Sequence, residues 1–134
     1  MNIAIIPARS GSKRIPKKNI KKFIGKPIIT YVIENLKKSK IFDKIYVSTD
    51  SNEISKISEA NGADVLIRSK KLSTDNVPTM TTINDVIKRL KEKKIFPKYV
   101  CIIYSTAIFL NKNHIIDSYK KLRFNKKIKM IFAC

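Results

Sequence analysis

The stretch that decides the fold is Ile3 to Asn19, IAIIPARSGSKRIPKKN. It opens as an apolar run and meets Pro7, which has no amide to give to a sheet ladder, so Asn2–Ile6 reads as a buried strand. From Pro7 to Asn19 the chain is rich in Gly, Ser, Pro, Arg and Lys, the composition of a loop. A basic loop directly after a buried strand can hold an anion. Gly11 permits a positive φ and the close approach of a ligand, and successive amides in such turns form an anion-binding nest. Arg9 would neutralise phosphate charge through paired hydrogen bonds, and Lys13 and Lys18 as point charges. The plainer reading is a solvated basic loop. Neither common nucleotide fingerprint is present: there is no G-x-x-x-x-G-K-[ST], and one glycine does not make a dinucleotide turn.

Outward from this loop, helices and strands alternate. Pro27 suits the first turn of a helix through about Ser39, with Ile29, Val32, Ile33 and Leu36 on one face. Lys44–Thr49 is a β-branched and aromatic strand. Asp50 or Ser51 caps the next helix, capping being the favoured role for Asp50, and Asn61-Gly62 stops it. Asp64–Ile67 is a third strand, followed by a polar loop from Arg68 to Pro78. Thr79–Lys93 is helical with Thr79 as its N-cap. Tyr99–Tyr104 reads as a fully buried strand, Lys112–Leu122 as a helix and Ile128–Ala133 as a last strand. This order predicts right-handed crossovers and a mostly parallel sheet covered on both faces, with ligands at the carboxyl ends of its strands. The fold class expected is α/β, a three-layer α/β/α arrangement, in one domain over residues 1–134.

Composition sets limits on function. At 134 residues, 43% of them hydrophobic, the chain can bury a core without metals or disulfides. No apolar run approaches the roughly 18 residues of a membrane span, and nothing resembles a secretory leader, so the expected location is the cytoplasm. Cys101 and Cys134 have no ligand partners at metal-binding spacing. The net charge of +19 points to a polyanion partner, yet Lys is scattered through nearly every segment beside abundant Ile and Asn. That pattern also follows from an AT-rich coding sequence. No zinc-finger, RNP-like or basic-zipper pattern is present, and no nucleic-acid partner is expected.

Five ordered segments resemble the acylneuraminate cytidylyltransferases: IIPARSGSKRIPKKN at 5–19, GKPII at 25–29, VSTD at 47–50, Gly62-Ala63 leading to Arg68 and KLSTD at 71–75, and YVCIIYSTAIFL at 99–110. The last is most similar to the pseudaminic acid branch, whose pattern is close to YVCCIYPTAPFL. The resemblance implies a Rossmann-like, nucleotide-diphospho-sugar transferase type of fold. It also implies transfer of CMP from CTP to the anomeric hydroxyl of an acidic nine-carbon sugar, releasing pyrophosphate, with Mg2+ as cofactor. The nucleotide-binding set it implies is Ala8, Arg9, Ser10, Gly11, Ser12, Lys13, Lys18, Asn19, Arg68 and Asp75, with Arg9 and Lys18 catalytic. Tyr104 and Thr106 would face the sugar. Read without the resemblance, Arg68 is equally a surface arginine and Tyr104 equally a core aromatic. His114, away from every motif, reads as a surface residue rather than a general base.

The chain departs from the family pattern in three ways. Ser105 and Ile108 stand where two prolines are usual, which should loosen the sugar-side loop. Leu110 stands where the sialic acid branch tends to place an arginine. Family members also continue beyond the position of Cys134 with a homodimerisation segment and acidic magnesium ligands, so a C-terminally truncated, weakly active or inactive nucleotide-binding chain is expected. The alternatives are a synthetase for CMP-N-acetylneuraminate, legionaminate or Kdo, a non-catalytic nucleotide-binding remnant, and a basic nucleic-acid-binding module.

Overall fold

A computed structural model describes residues 1–132. Strand β1 (Asn2–Pro7) is central: Ile3, Ala4, Ile5 and Ile6 are all fully buried. A tight hairpin follows the basic loop, with β2 (Lys22–Phe23) antiparallel to β3 (Lys26–Pro27). Its turn holds Gly25 at φ 81°. Helix α1 (Ile28–Ser39) begins just after Pro27 and buries Ile29, Val32, Ile33 and Leu36 as a single stripe. Strand β4 (Lys44–Thr49) leads into α2 (Asn52–Ala60), capped by Ser51, whose Oγ accepts from the Ile54 amide. Gly62, at φ 83°, turns the chain into β5 (Asp64–Ile67). Helix α3 (Thr79–Glu92), strand β6 (Tyr99–Ile102) and helix α4 (Lys112–Phe124) complete the main elements.

The principal sheet has the order β5-β4-β1-β6, parallel throughout, with Ile5 opposite Tyr46 on one side and Ile102 on the other. Alternate residues of β1 point to opposite layers, as the two-residue period of a strand requires. Ala4 and Ile6 pack with α1, with Ile54 of α2 and with Ile115 of α4. Ile3 and Ile5 pack with Ile83, Val86 and Leu90 of α3. The three-layer α/β/α expectation is met.

Several expectations are corrected. The segment Tyr99–Tyr104 is not a fully buried strand: β6 stops at Ile102 and, among the described residues, is the edge strand of the sheet. Val100 and Ile102 are therefore 38% and 41% exposed. Residues 128–132 are irregular rather than a strand, because they take no place beside β6 and an unpaired segment has no ladder to hold it. Ala133, the end of that expected strand, and Cys134 lie outside the described residues. Pro78, not Thr79, occupies the N-cap of α3. His114 completes a capping box at α4: Asn111 Oδ1 accepts from the Asn113 and His114 amides, while His114 Nδ1 accepts from the Asn111 amide. Cys101 packs partly buried on the α1 side, and burial pushes its thiol up to about 11. No helix among the described residues is long and apolar enough to cross a membrane.

Candidate functional site

Strands β4 and β5 lie to one side of β1, and the chain then returns to place β6 on the other. The strand order thus reverses between β1 and β6. In an open parallel sheet, a crevice forms at the carboxyl ends of two strands that diverge in this way. A cleft of about 270 Å3 lies at that point. One wall follows β1 and carries Pro7, Arg9, Ser12, Lys18 and Asn19. The opposite wall follows β6 and carries Tyr104, Ser105 and Thr106. Arg68, Leu72, Thr74, Asp75 and Val77, from the segment after β5, close it together with Thr79 and Thr82 of α3.

The loop after β1 is held at two peptide groups, Pro7–Ala8 and Arg9–Ser10. The Ala8 amide donates to Ser48 O at 2.9 Å, extending the β1–β4 ladder. The Arg9 carbonyl accepts from Asn19 Nδ2 at 2.7 Å. Asp50 accepts from the Ser10 amide at 2.8 Å and from the Ser10 hydroxyl at 2.7 Å. Asp50 is thus a loop tether, whereas capping was the favoured reading; Ser51, one residue on, caps α2 and frees the carboxylate to reach across to the β1 loop. Burial by itself would raise the Asp50 carboxyl, but the Ser10 hydrogen bonds outweigh it and the pKa is lowered. Lys17 takes the left-handed conformation at φ 51° and pairs with Glu53 of α2 at 2.8 Å, turning the chain into the short 3-10 turn of Lys18–Ile20.

The cleft is predominantly cationic. Arg9 and Lys13 both pair with Asp75, whose carboxyl is held below its usual range, first by Lys13 and then by Arg9. Arg68 is only 6% exposed, which removes the surface reading. Its NH1 donates to Thr82 Oγ1 at 3.1 Å, and its buried Nε has no partner among the described residues. Burial draws its pKa down, Asp50 opposes that, and Arg9 adds to it. An arginine so enclosed remains a cation. It is a fixed positive charge with a hydrogen-bond donor still to satisfy.

Of the residues expected at the site, Arg9, Ser12, Lys18, Asn19, Arg68, Asp75, Tyr104 and Thr106 converge on the cleft. Ala8, Ser10, Gly11 and Lys13 do not line it. Ala8 is in the core, Ser10 is turned to Asp50, and Lys13 reaches the site only through Asp75. Gly11 does not have a positive φ, and a Cβ there would meet no protein atom within 4 Å. Nor is Tyr104 a core aromatic: it is 55% exposed, and its hydroxyl is 3.1 Å from Thr79 Oγ1. Sequence reasoning missed Ser105 as a site residue. It is 1% exposed and donates its hydroxyl to Asn19 Oδ1. The segment after it closes through turn bonds from Ala107 to Tyr104 and from Leu110 to Ala107, so the backbone stays fastened without the two prolines. A serine at a strand's carboxyl end was the one available signal.

The model of a family described as cytidylyltransferase matches residues 3–132. A pseudaminic acid cytidylyltransferase of Campylobacter jejuni is 43% identical over 133 residues, 98% of this chain and 57% of that protein. An N-acylneuraminate cytidylyltransferase of Escherichia coli is 35% identical, over 98% of this chain and 30% of its own length. The chain therefore spans little more than half of the first of these relatives. Among solved structures, a CMP:2-keto-3-deoxy-manno-octonic acid synthetase complexed with CTP superposes with a TM-score of 0.76 at 20% identity, covering 91% of this chain and 47% of that one. A 4-diphosphocytidyl-2C-methyl-D-erythritol synthase gives a TM-score of 0.73 at 14% identity, covering 92% and 55%. These two likenesses establish a shared fold.

Proposed function

The chain belongs to the cytidylyltransferase family, and from that premise we propose that it binds CTP and serves transfer of CMP to a nonulosonic acid, pseudaminic acid first among the candidates. The observation that carries this reading is the convergence of Arg9, Lys18 and Arg68 on one cleft at the β1–β6 switch point. In the reaction, the sugar's anomeric hydroxyl attacks the α-phosphorus in line and a new oxygen–phosphorus bond forms. The bond to the bridging oxygen breaks, and pyrophosphate leaves with its electron pair. Negative charge shifts toward the leaving group, so the work required is positioning and charge neutralisation.

Arg9 suits the phosphate chain because a planar guanidinium can take two oxygens at once. Lys18, exposed at the rim, is the cation proposed to meet charge at the α-phosphate. Arg68, which lines the cleft, is proposed to lie against the base or ribose. Tyr104 and Thr106, on the opposite wall, are proposed to meet the sugar acid. The identity to the C. jejuni protein, whose name specifies pseudaminic acid, favours that sugar.

Magnesium is the expected cofactor of such a transfer. Among the described residues no three His, Cys, Asp or Glu side chains cluster, and a magnesium held mainly by phosphate oxygens would need one or two carboxylates. Asp75 is engaged by Arg9 and Lys13, and Asp50 by Ser10. The cytoplasm, where CTP is available, is the proposed site of action.

Calorimetric titration of CTP, ATP, GTP and UTP tests the reading, using the wild type and the Arg9→Ala/Lys13→Ala variant. CTP should bind selectively, and the double substitution should weaken it by about tenfold or more. Equal binding of all four nucleotides, or salt-sensitive binding that survives the substitution, would count against the reading and favour a general polyanion binder. Pyrophosphate release with pseudaminic, N-acetylneuraminic or legionaminic acid then ranks the sugars.

A further inference from the structure

Two peptide groups flanking Arg9 are pinned, Pro7–Ala8 at its amide and Arg9–Ser10 at both its amide and its carbonyl. The Ala8 amide is held by β4 and the Ser10 amide by Asp50. The Arg9 carbonyl is held by Asn19. Only the third of these tethers continues across the cleft. Ser105, which follows β6, donates its hydroxyl to Asn19 Oδ1. Ser105 and Asn19 are 1% and 6% exposed, 86 residues apart in sequence, and both line the cleft.

The chemistry of this chain of groups leaves one arrangement. A backbone carbonyl can only accept, so the Asn19 NH2 must face Arg9 O. The Asn19 Oδ1 then faces Ser105, whose proton must point at it. Without that proton, Oδ1 would be a buried acceptor with no donor, and the amide would be held by its bond to Arg9 O alone. The Arg9 carbonyl would then rest on a partner held at one end only, which loosens the bond that, together with the Asp50 bond to the Ser10 amide, orients the peptide beside the guanidinium.

We propose that Ser105 is a positioning residue: acting through the Asn19 amide, it fixes the Arg9 peptide and so aims the guanidinium for a nucleotide's phosphate chain. This rests on the reading of the cleft as a CTP site. Ser105 itself need touch no part of the nucleotide. Its effect passes from the sugar-side wall to the phosphate-side wall through two buried hydrogen bonds.

A double-mutant cycle on the full 134-residue chain tests it, with CTP as the probe, calorimetry for affinity and thermal melting for folding. Ser105→Ala should weaken CTP binding by about five- to tenfold while the protein remains folded at the assay temperature. In an Arg9→Ala background the same change should cost less than about twofold, because there is no guanidinium left to aim. A merely structural role would lower the melting temperature and leave the penalty equal in both backgrounds. Where Ser105→Ala melts too low to assay, Ser105→Cys, similar in size and a weaker donor, takes its place in the same cycle. Wild-type affinity in the Ser105 variant, or a penalty that persists in the Arg9→Ala background, overturns the proposal while leaving the CTP site standing. A wild-type chain that binds no CTP overturns both.

Discussion

Replacing Arg68 by Met should stabilise the protein measured without nucleotide and remove its response to nucleotide. Arg68 is 6% exposed, has a single hydrogen bond through NH1 to Thr82, and buries an Nε–H with no partner among the described residues. An unpartnered buried donor costs about 1–3 kcal/mol. Methionine fills much of the same volume with an unbranched apolar chain and carries no such cost. Against that gain stand the lost bond to Thr82, about 1 kcal/mol once the threonine hydroxyl reorients, and the attraction of Asp50, which burial of the charge and repulsion by Arg9 together outweigh. The balance is a gain of about 1 kcal/mol, or roughly 3–5 °C in melting temperature for a domain of this size. A fully satisfied buried charge would behave oppositely, with removal of one partner costing about 3–5 kcal/mol. The sign is therefore diagnostic. Saturating nucleotide should raise the wild-type stability by about 2.7 kcal/mol at a hundred times Kd, so the two proteins should exchange order when CTP is added. Differential scanning fluorimetry with and without CTP measures both effects. Loss of 1 kcal/mol or more in the variant without CTP, or a CTP-induced shift equal to wild type, would refute the reasoning.

Two further outcomes follow from the carboxylates flanking the loop. Asp50 has a lowered pKa in the folded protein, so its contribution is present above its unfolded value of about 4 and is lost as pH falls through the folded value. Urea unfolding between about pH 2.5 and 6 should show an acid decline in the wild type that Asp50→Asn reduces, and superimposable profiles would contradict this. Asp75→Asn releases Arg9 and Lys13 from a competing anion, so it should tighten binding of inorganic tripolyphosphate and CTP a few-fold, most clearly at low salt. Weaker binding in that variant would mean instead that the Asp75 carboxylate assists the nucleotide directly.

What could be read from the sequence, and what could not, divides along the range of the forces involved. The limits of β4 and β5 and the buried stripe of α1 follow from local periodicity, and the structure reproduces them. The exposure of β6 does not, because YVCI is equally apolar in a central strand and at an edge, and only the strand order decides which it is. Polar partners are still less local. Asp50 stands next to a helix start and reads as a cap, yet its hydrogen bonds run to Ser10 in the next loop of the sheet. Ser105 reads as the loss of a proline, while its actual effect is a hydrogen bond to a residue 86 positions away. Once the order β5-β4-β1-β6 is known, that partnership has a simple cause. Asn19 and Ser105 belong to the segments following the two strands that diverge at the switch point, and any polar side chains facing each other there are buried by the same walls that form the cleft. A buried acceptor at that position requires a donor from the other side. The topology thus selects which residues of two separate motifs must be chemically compatible, and it makes the serine part of the arginine's support.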